Sequence, residues 1–178
     1  MADPLHPQKA VRRLALAILV ASAAASAARG TTCAEQSAQF DFWIGRRDVT
    51  PSEGQPDARR VIASSREEKI AGGCALLESY EEPDGYAGKS INFVDPVSKQ
   101  WRQLWVDSAG NTSEFTGGWR DGAMRFEGES HVAPGKRIFR KLTFTPLPDG
   151  SVRQRSEASL DGKTWKVNYD YTYVRRKG

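Results

Sequence analysis

Apolar and polar residues alternate along most of the chain beyond residue 45. In residues 101–106, which read Trp-Arg-Gln-Leu-Trp-Val, the alternation has the two-residue period of a β-strand. It recurs in 137–144 and 152–160. It also recurs in 165–173, where the face with the aromatic side chains is predicted to point inward: Trp165, Val167, Tyr169, Tyr171 and Tyr173. Strands are therefore the main elements that the pattern predicts.

Turn residues separate these segments every 11–14 residues or so, which is typical of consecutive β-hairpins. Asp-Gly pairs are the strongest of these signals, because both residues tolerate the positive φ of a tight turn. We predict an all-β fold, an antiparallel up-and-down barrel of about ten strands, with a Greek-key sandwich as the alternative. One early strand is predicted at 59–70. The turn pairs are Asp84-Gly85, Asp95-Pro96, Gly110-Asn111, Asp121-Gly122, Pro134-Gly135, Asp149-Gly150 and Asp161-Gly162.

A short helical turn is predicted at 35–44, before the first strand. Phe40, Trp43 and Ile44 recur there at helical spacing and should pack together. Gly45 ends the turn. This segment is expected to form an aromatic plug against the barrel.

Residues 1–28 have the organisation of a secretory signal. Arg12 and Arg13 precede a short apolar run at 14–20, and small residues follow at 25–27. The apolar run is shorter than the ~20 residues of a spanning helix. We expect cleavage near residue 28, which leaves one domain at 29–178 that is periplasmic or secreted and has no membrane segment; an uncleaved N-terminal anchor is the alternative.

Cys33 and Cys74 are the only two cysteines, and both lie in the predicted mature domain. In an oxidising compartment the default is one disulfide between them. A reactive thiol pair is the alternative, although no second redox motif accompanies it. If the cysteines pair, they are not available as metal ligands, so no metal site is expected.

The net charge of the chain is +4, and it falls to +2 without residues 1–28, which hold Lys9, Arg12 and Arg13 against Asp3. A nucleic-acid-binding domain would show a concentrated basic face instead. Hydrophobic residues make up 39% and charged residues 27% of the chain, as in an ordinary globular protein. Nucleic acid is therefore not an expected partner.

Five stretches, at 40–45, 73–78, 89–95, 101–107 and 159–165, resemble a family of exported bacterial proteins of unknown function. The first two read Phe-Asp-Phe-Trp-Ile-Gly and Gly-Cys-Ala-Leu-Leu-Glu. The resemblance covers nearly the whole mature chain and implies a lipocalin-like (calycin-type) β-barrel, with no activity to carry over. Lipocalins begin with Gly-x-Trp.

In this chain, Arg46 and Arg47 follow Gly45, so the tryptophan of the lipocalin pattern is missing there. Trp43 is positioned to replace that ring from the other side of the glycine.

Arg140 is the most informative candidate site residue, because it shares a strand face with Ile138, Leu142 and Phe144. A charge on an apolar face is costly unless it is paired. One interpretation is that Arg140 binds the carboxylate or phosphate of a ligand in a bidentate geometry. The alternative is an internal salt bridge to Glu78 or Glu157, or a closing role over Trp43.

Trp101, Gln103 and Trp105 share the other informative face. If they point into the lumen, they provide flat apolar walls and one amide that orients a ligand. If they point outward, Leu104 and Val106 belong to the core and the tryptophans form an exposed patch for a partner. Simple core filling is a third interpretation.

Three functions follow from these residues. The first is a binding module whose lumen holds a small, partly apolar, anionic ligand, with Glu78, Asn92 and Glu157 as further polar groups of the lumen. The second is a small hydrolase or isomerase that uses lumen carboxylates. A raised carboxylate pKa beside Arg140 or a tyrosine would favour it. The third is a packed envelope interaction module. No cofactor is expected; haem bound by His131, the only histidine of the mature domain, is the alternative.

Overall fold

The computed structural model describes residues 32–132 and 134–176, and it is a closed antiparallel barrel of ten strands. Each strand pairs with its neighbours in the sequence, and the first pairs with the last, as in an up-and-down barrel. The predicted fold is thus confirmed. The strands are β1 (Gly45–Pro51), β2 (Ala63–Ile70), β3 (Ala75–Glu81), β4 (Ala87–Val94), β5 (Trp101–Asp107), β6 (Thr112–Arg120), β7 (Ala123–Val132), β8 (Lys136–Pro146), β9 (Val152–Ser159) and β10 (Lys166–Arg175).

The predicted signal at 1–28 lies outside the described residues, so its cleavage stays a prediction. Among the described helices, none has the length and apolar content that crossing a bilayer requires. β2 begins four residues later than predicted from the sequence. Arg59, the first residue of the predicted strand, has a φ of 73°, so its backbone is left-handed and not extended.

One end of the barrel is closed by the predicted helical segment. Helix α1 (Cys33–Ser37) begins with a capping box between Thr32 and Glu35, and a 3₁₀ turn (Ala38–Trp43) follows it. Phe40 and Trp43 are fully buried, and their rings stack with centroids 5.0 Å apart. Phe144 of β8 contacts both rings. The predicted aromatic plug is therefore present.

Arg47 lies beneath this plug with its side chain completely buried. Its guanidinium donates to the backbone carbonyls of Trp43 at 2.9 Å and Phe42 at 2.7 Å. It also donates to the carbonyls of Tyr173 at 3.2 Å and Gly150 at 3.1 Å. One side chain thus joins the plug to β10 and to the turn before β9.

The predicted disulfide between Cys33 and Cys74 is present and spans 41 residues. It ties α1 to the residue that precedes β3. By the chain-entropy model, a loop of this length contributes roughly 4 kcal/mol at most. The bridge therefore fixes the plug segment to the wall of the barrel.

A β-bulge in β10 changes which side chains point inward. The pairing with β9 shifts by one residue between Val167 and Tyr169. Tyr169, Tyr171 and Tyr173 face the lumen as predicted, but Val167 is half exposed on the outer surface. Trp165 lies under the amine of Lys141 on that surface, 4.2 Å from Nζ to the ring centroid. The prediction that residues 165 and 167 point inward was wrong, because the extra residue at the bulge reverses the alternation.

Candidate ligand-binding cavity

A cavity of about 480 Å³ occupies the half of the barrel opposite the plug. Small-molecule sites typically have volumes of roughly 300–1,000 Å³. Aromatic side chains form much of the wall: Tyr80, Tyr86, Trp105, Phe115, Tyr169, Tyr171 and Tyr173. The lumen is therefore partly open and is not fully packed with side chains.

Trp105 and Gln103 line this cavity, which decides between the alternatives for β5. Leu104 and Val106 point outward and are 40% and 53% exposed. The Trp105 ring lies against Gly88 of β4, where even a Cβ atom would come within 2.1 Å of the ring. The indole is thus held flat against the wall because the neighbouring position has no side chain.

Trp101 also points inward but does not line the cavity. Its ring meets Phe40 edge-on at 5.6 Å, and its Nε1 donates a 3.0 Å hydrogen bond to Gln39. Trp101 belongs to the plug, so the prediction that it forms a wall of the binding site was wrong. The 3₁₀ turn inserts into the barrel at the level of that ring and separates it from the cavity.

Arg140 lines the cavity, and the alternative, an internal salt bridge to Glu78 or Glu157, is not found. Within the described part of the chain, Arg140 forms no ion pair, and its one side-chain hydrogen bond runs from Nε to Ser130 Oγ at 3.1 Å. Burial lowers the pKa of the guanidinium, and Tyr169 and Tyr86 partly offset this. The two terminal nitrogens are thus left available to a ligand anion.

Glu78 and Asn92, both predicted lumen residues, belong to one buried hydrogen-bond network. Ser90 Oγ donates to Glu78 at 2.8 Å and accepts from Asn92 Nδ2 at 2.9 Å. Gln103 Nε2 donates to Asn92 Oδ1 at 2.6 Å. Glu78 and Gln103 line the cavity, whereas Asn92 is fully buried and does not line it. The network fixes the orientation of the Gln103 amide.

Burial raises the pKa of Glu78 to about 7, against hydrogen bonds from Ser90 and Tyr173 that lower it. The Tyr173 hydroxyl lies 3.4 Å from Glu78 Oε1. Glu67 lies opposite Glu78 in the register of β2 and β3. Burial, and to a smaller extent the charge of Glu78, raises the pKa of Glu67 to about 9. Burial thus raises the pKa of both adjacent carboxyl groups, that of Glu67 above neutrality and that of Glu78 to about neutrality.

Glu157 lies on the outer face, contrary to the prediction that it is a lumen residue. Gln154 and Ser156 of the same strand line the cavity, so the side chain of the next residue points outward. Glu157 there lies 3.5 Å from Arg155. It pairs across β8 and β9 with Lys141 and has no access to the cavity.

Carboxylates at the open end of the cavity were not singled out in the sequence as binding residues. Glu82, Asp84 and Asp107 lie there, at the ends of β3 and β5 and in the β3–β4 turn. Tyr80 donates to Glu82 at 2.9 Å, and Tyr86 donates to Asp107 at 2.8 Å. Their grouping was not visible in the sequence, because Tyr86 and Asp107 lie 21 residues apart and meet only when β4 pairs with β5.

His131 is exposed on β7 and does not line the cavity, although its neighbours Ser130 and Val132 do. In residues 32–132 and 134–176, no three metal-binding side chains of the His, Cys, Asp or Glu type come together.

Comparison of the chain with protein-family models and with curated proteins found no match. The cavity itself is therefore the basis for any functional conclusion.

The raised pKa of Glu78 predicts a pH-dependent stability. The folded state favours the protonated carboxyl of Glu78. Ionisation of Glu78 therefore costs no folding stability below its ordinary pKa of 4.5, and the full loss is reached above about pH 7. Stability should therefore fall by about 3 kcal/mol across that window. Glu78→Gln should remove this part of the fall, measured by urea unfolding at several pH values, whereas the raised pKa of Glu67 contributes a fall of its own that the variant keeps.

Glu81→Gln is the matched control, because it removes an exposed carboxylate from the same strand. Its pH profile should follow that of the wild type. If Glu78→Gln retains the full decline between pH 4.5 and 7, Glu78 is not the group responsible.

Proposed function

We propose that the barrel is a binding protein whose lumen holds a small, partly apolar ligand with a carboxylate or phosphate group. The observation that carries the proposal is Arg140, a partly buried cation that lines an open cavity and has no carboxylate partner in the described chain. A bidentate anion would satisfy its terminal nitrogens. Aromatic walls from Trp105 and Tyr169 would cover the apolar body of the ligand.

The proposal includes export of the protein, which rests on the family resemblance and on the predicted signal at 1–28. An exported protein with a ligand-sized lumen would act in the periplasm or outside the cell. The disulfide is consistent with such a compartment.

Native mass spectrometry of the exported, oxidised protein, followed by organic extraction, tests the proposal. We expect a stoichiometric adduct whose extracted compound carries an acidic group. A bare mass, together with failure to bind simple aromatic carboxylates, would contradict a binding role.

A second candidate function is acid–base catalysis by Glu78. Its raised pKa places the carboxyl near neutrality, where a general acid or base is most effective, and the Tyr173 hydroxyl is adjacent. This combination favours a hydrolase or isomerase over a purely passive lumen. Conversion of the extracted compound by the wild type and not by Glu78→Gln would identify an enzyme.

A further inference from the structure

The charges that line the cavity are unevenly distributed along its length. Arg140, at the middle of β8, is the one basic residue among the described residues of the lining. Glu82, Asp84 and Asp107 stand at the open end. An anion that enters the lumen must therefore pass three carboxylates before it reaches the arginine.

Asp107 is held in its ionised form. Partial burial acts to raise its pKa, but hydrogen bonds from Asn111 and Tyr86 outweigh that effect and lower the pKa. Tyr86 and the Trp105 indole donate to Oδ2 at 2.8 and 3.4 Å. Asp107 thus contributes a permanent negative charge to the opening, although its oxygens are already occupied by hydrogen bonds.

Glu82 lines the same opening and has a carboxylate oxygen that is not used within the described part of the chain. Its Oε1 accepts from Tyr80, whereas no hydrogen bond to Oε2 is present in the described part of the chain. Deeper in the lumen, Gln154 is only 6% exposed, and its side-chain oxygen accepts no hydrogen bond from a described residue. A buried acceptor without a donor is costly unless a ligand or water supplies one. Both groups therefore favour a ligand that carries hydrogen-bond donors as well as an anion.

We propose, building on the binding function above, that the preferred ligand is dipolar, with its anionic group on Arg140 and a cationic amino group towards Glu82. A ligand with only an anionic group binds the arginine but is repelled by the three carboxylates at the opening. A ligand with both charges gains at both ends, so the charge distribution selects for it. The stacked Tyr169 and Tyr171, with centroids 4.8 Å apart, and the flat Trp105 ring fit an aromatic spacer between the charges.

Three probes with one rigid body test this assignment by calorimetry at pH 7.5. 4′-(Aminomethyl)biphenyl-4-carboxylate carries both charges, biphenyl-4-carboxylate only the anion, and biphenyl-4-ylmethylamine only the cation. We expect the dipolar probe to bind at least tenfold more tightly than either of the others.

Glu82→Gln should remove most of this preference, because it neutralises the free acceptor while keeping an oxygen for Tyr80. The variant should weaken binding of both amine-containing probes and leave biphenyl-4-carboxylate unchanged or tighter. Glu81→Gln is the matched control, since the neighbouring Glu81 is exposed on the outer face. It should preserve the ranking of all three probes.

The outcomes separate this inference from the binding function on which it rests. If biphenyl-4-carboxylate binds as tightly as the dipolar probe, and Glu82→Gln changes neither, the dipolar assignment is wrong and the binding function stands. If none of the three probes binds, both proposals are wrong for ligands of this class.

Discussion

Replacing Arg140 by methionine is expected to weaken binding of biphenyl-4-carboxylate on the order of 10- to 100-fold. Hydrogen bonds between charged partners contribute roughly 1.5–3 kcal/mol, and the anion has no other basic partner among the described residues of the cavity lining. The change should be read by calorimetry at pH 7.5. The affinity of biphenyl-4-ylmethylamine should not change, since this probe has no anionic group to bind the arginine.

The same variant should be more stable than the wild type in urea unfolding. The guanidinium is partly buried without a carboxylate partner among the described residues, and methionine removes its desolvation cost while filling similar space. Opposite changes in stability and affinity are typical of a residue retained for binding.

Lys141→Met is the matched control. Lys141 is the next residue of β8, but its amine lies over Trp165 on the outer face. It removes one positive charge of the chain without touching the cavity, so affinity should stay within twofold. Higher stability of Arg140→Met with unchanged affinity would show that the arginine does not bind the ligand.

Local signals in the sequence were sufficient for the architecture. Alternation and Asp-Gly turns act between neighbouring residues, and a chain of successive hairpins has few ways to close. The faces of residues 165 and 167 were not predictable in the same way. The bulge beside Val167 depends on how β10 fits between β9 and β1, and that fit exists only in the closed barrel.

The candidate site was predictable where one residue conflicted with its own strand. Arg140 conflicted with an apolar face, and it lines the cavity. Glu157 was assigned to the lumen although Ser156 beside it has the inward position, so the alternation itself contained the correction. Glu82 and Asp107 resemble ordinary solvated residues near turns, and only barrel closure brings them around one opening.

Replacing Arg47 by methionine is expected to destabilise the protein by roughly 3–5 kcal/mol. A buried acceptor that loses its donor costs roughly 1–3 kcal/mol, and Arg47 donates to several buried carbonyls. Here the carbonyls of Trp43 and Phe42 would lose their donor, and Glu67 would lose the guanidinium whose Nε lies 3.8 Å from its Oε2. Urea unfolding of the oxidised protein, followed by tryptophan fluorescence, measures the loss.

Arg46→Met is the control, because the preceding arginine of β1 is exposed. A surface substitution of this kind usually changes stability by less than about 0.5 kcal/mol. Arg47→Lys extends the test should Arg47→Met fail to fold, since lysine keeps the charge but lacks the planar fork that reaches several carbonyls together. Its stability should lie between those of the wild type and Arg47→Met.

The comparison of the two arginines tests how the plug is held. If the plug depended on its aromatic contacts alone, Arg47→Met and Arg46→Met would unfold at similar urea concentrations. If the guanidinium joins the plug to β10, the Arg47 variants should also lose the near-ultraviolet dichroism of Trp43 before the barrel itself unfolds, because its bonds to Trp43 and Tyr173 hold the ring in place.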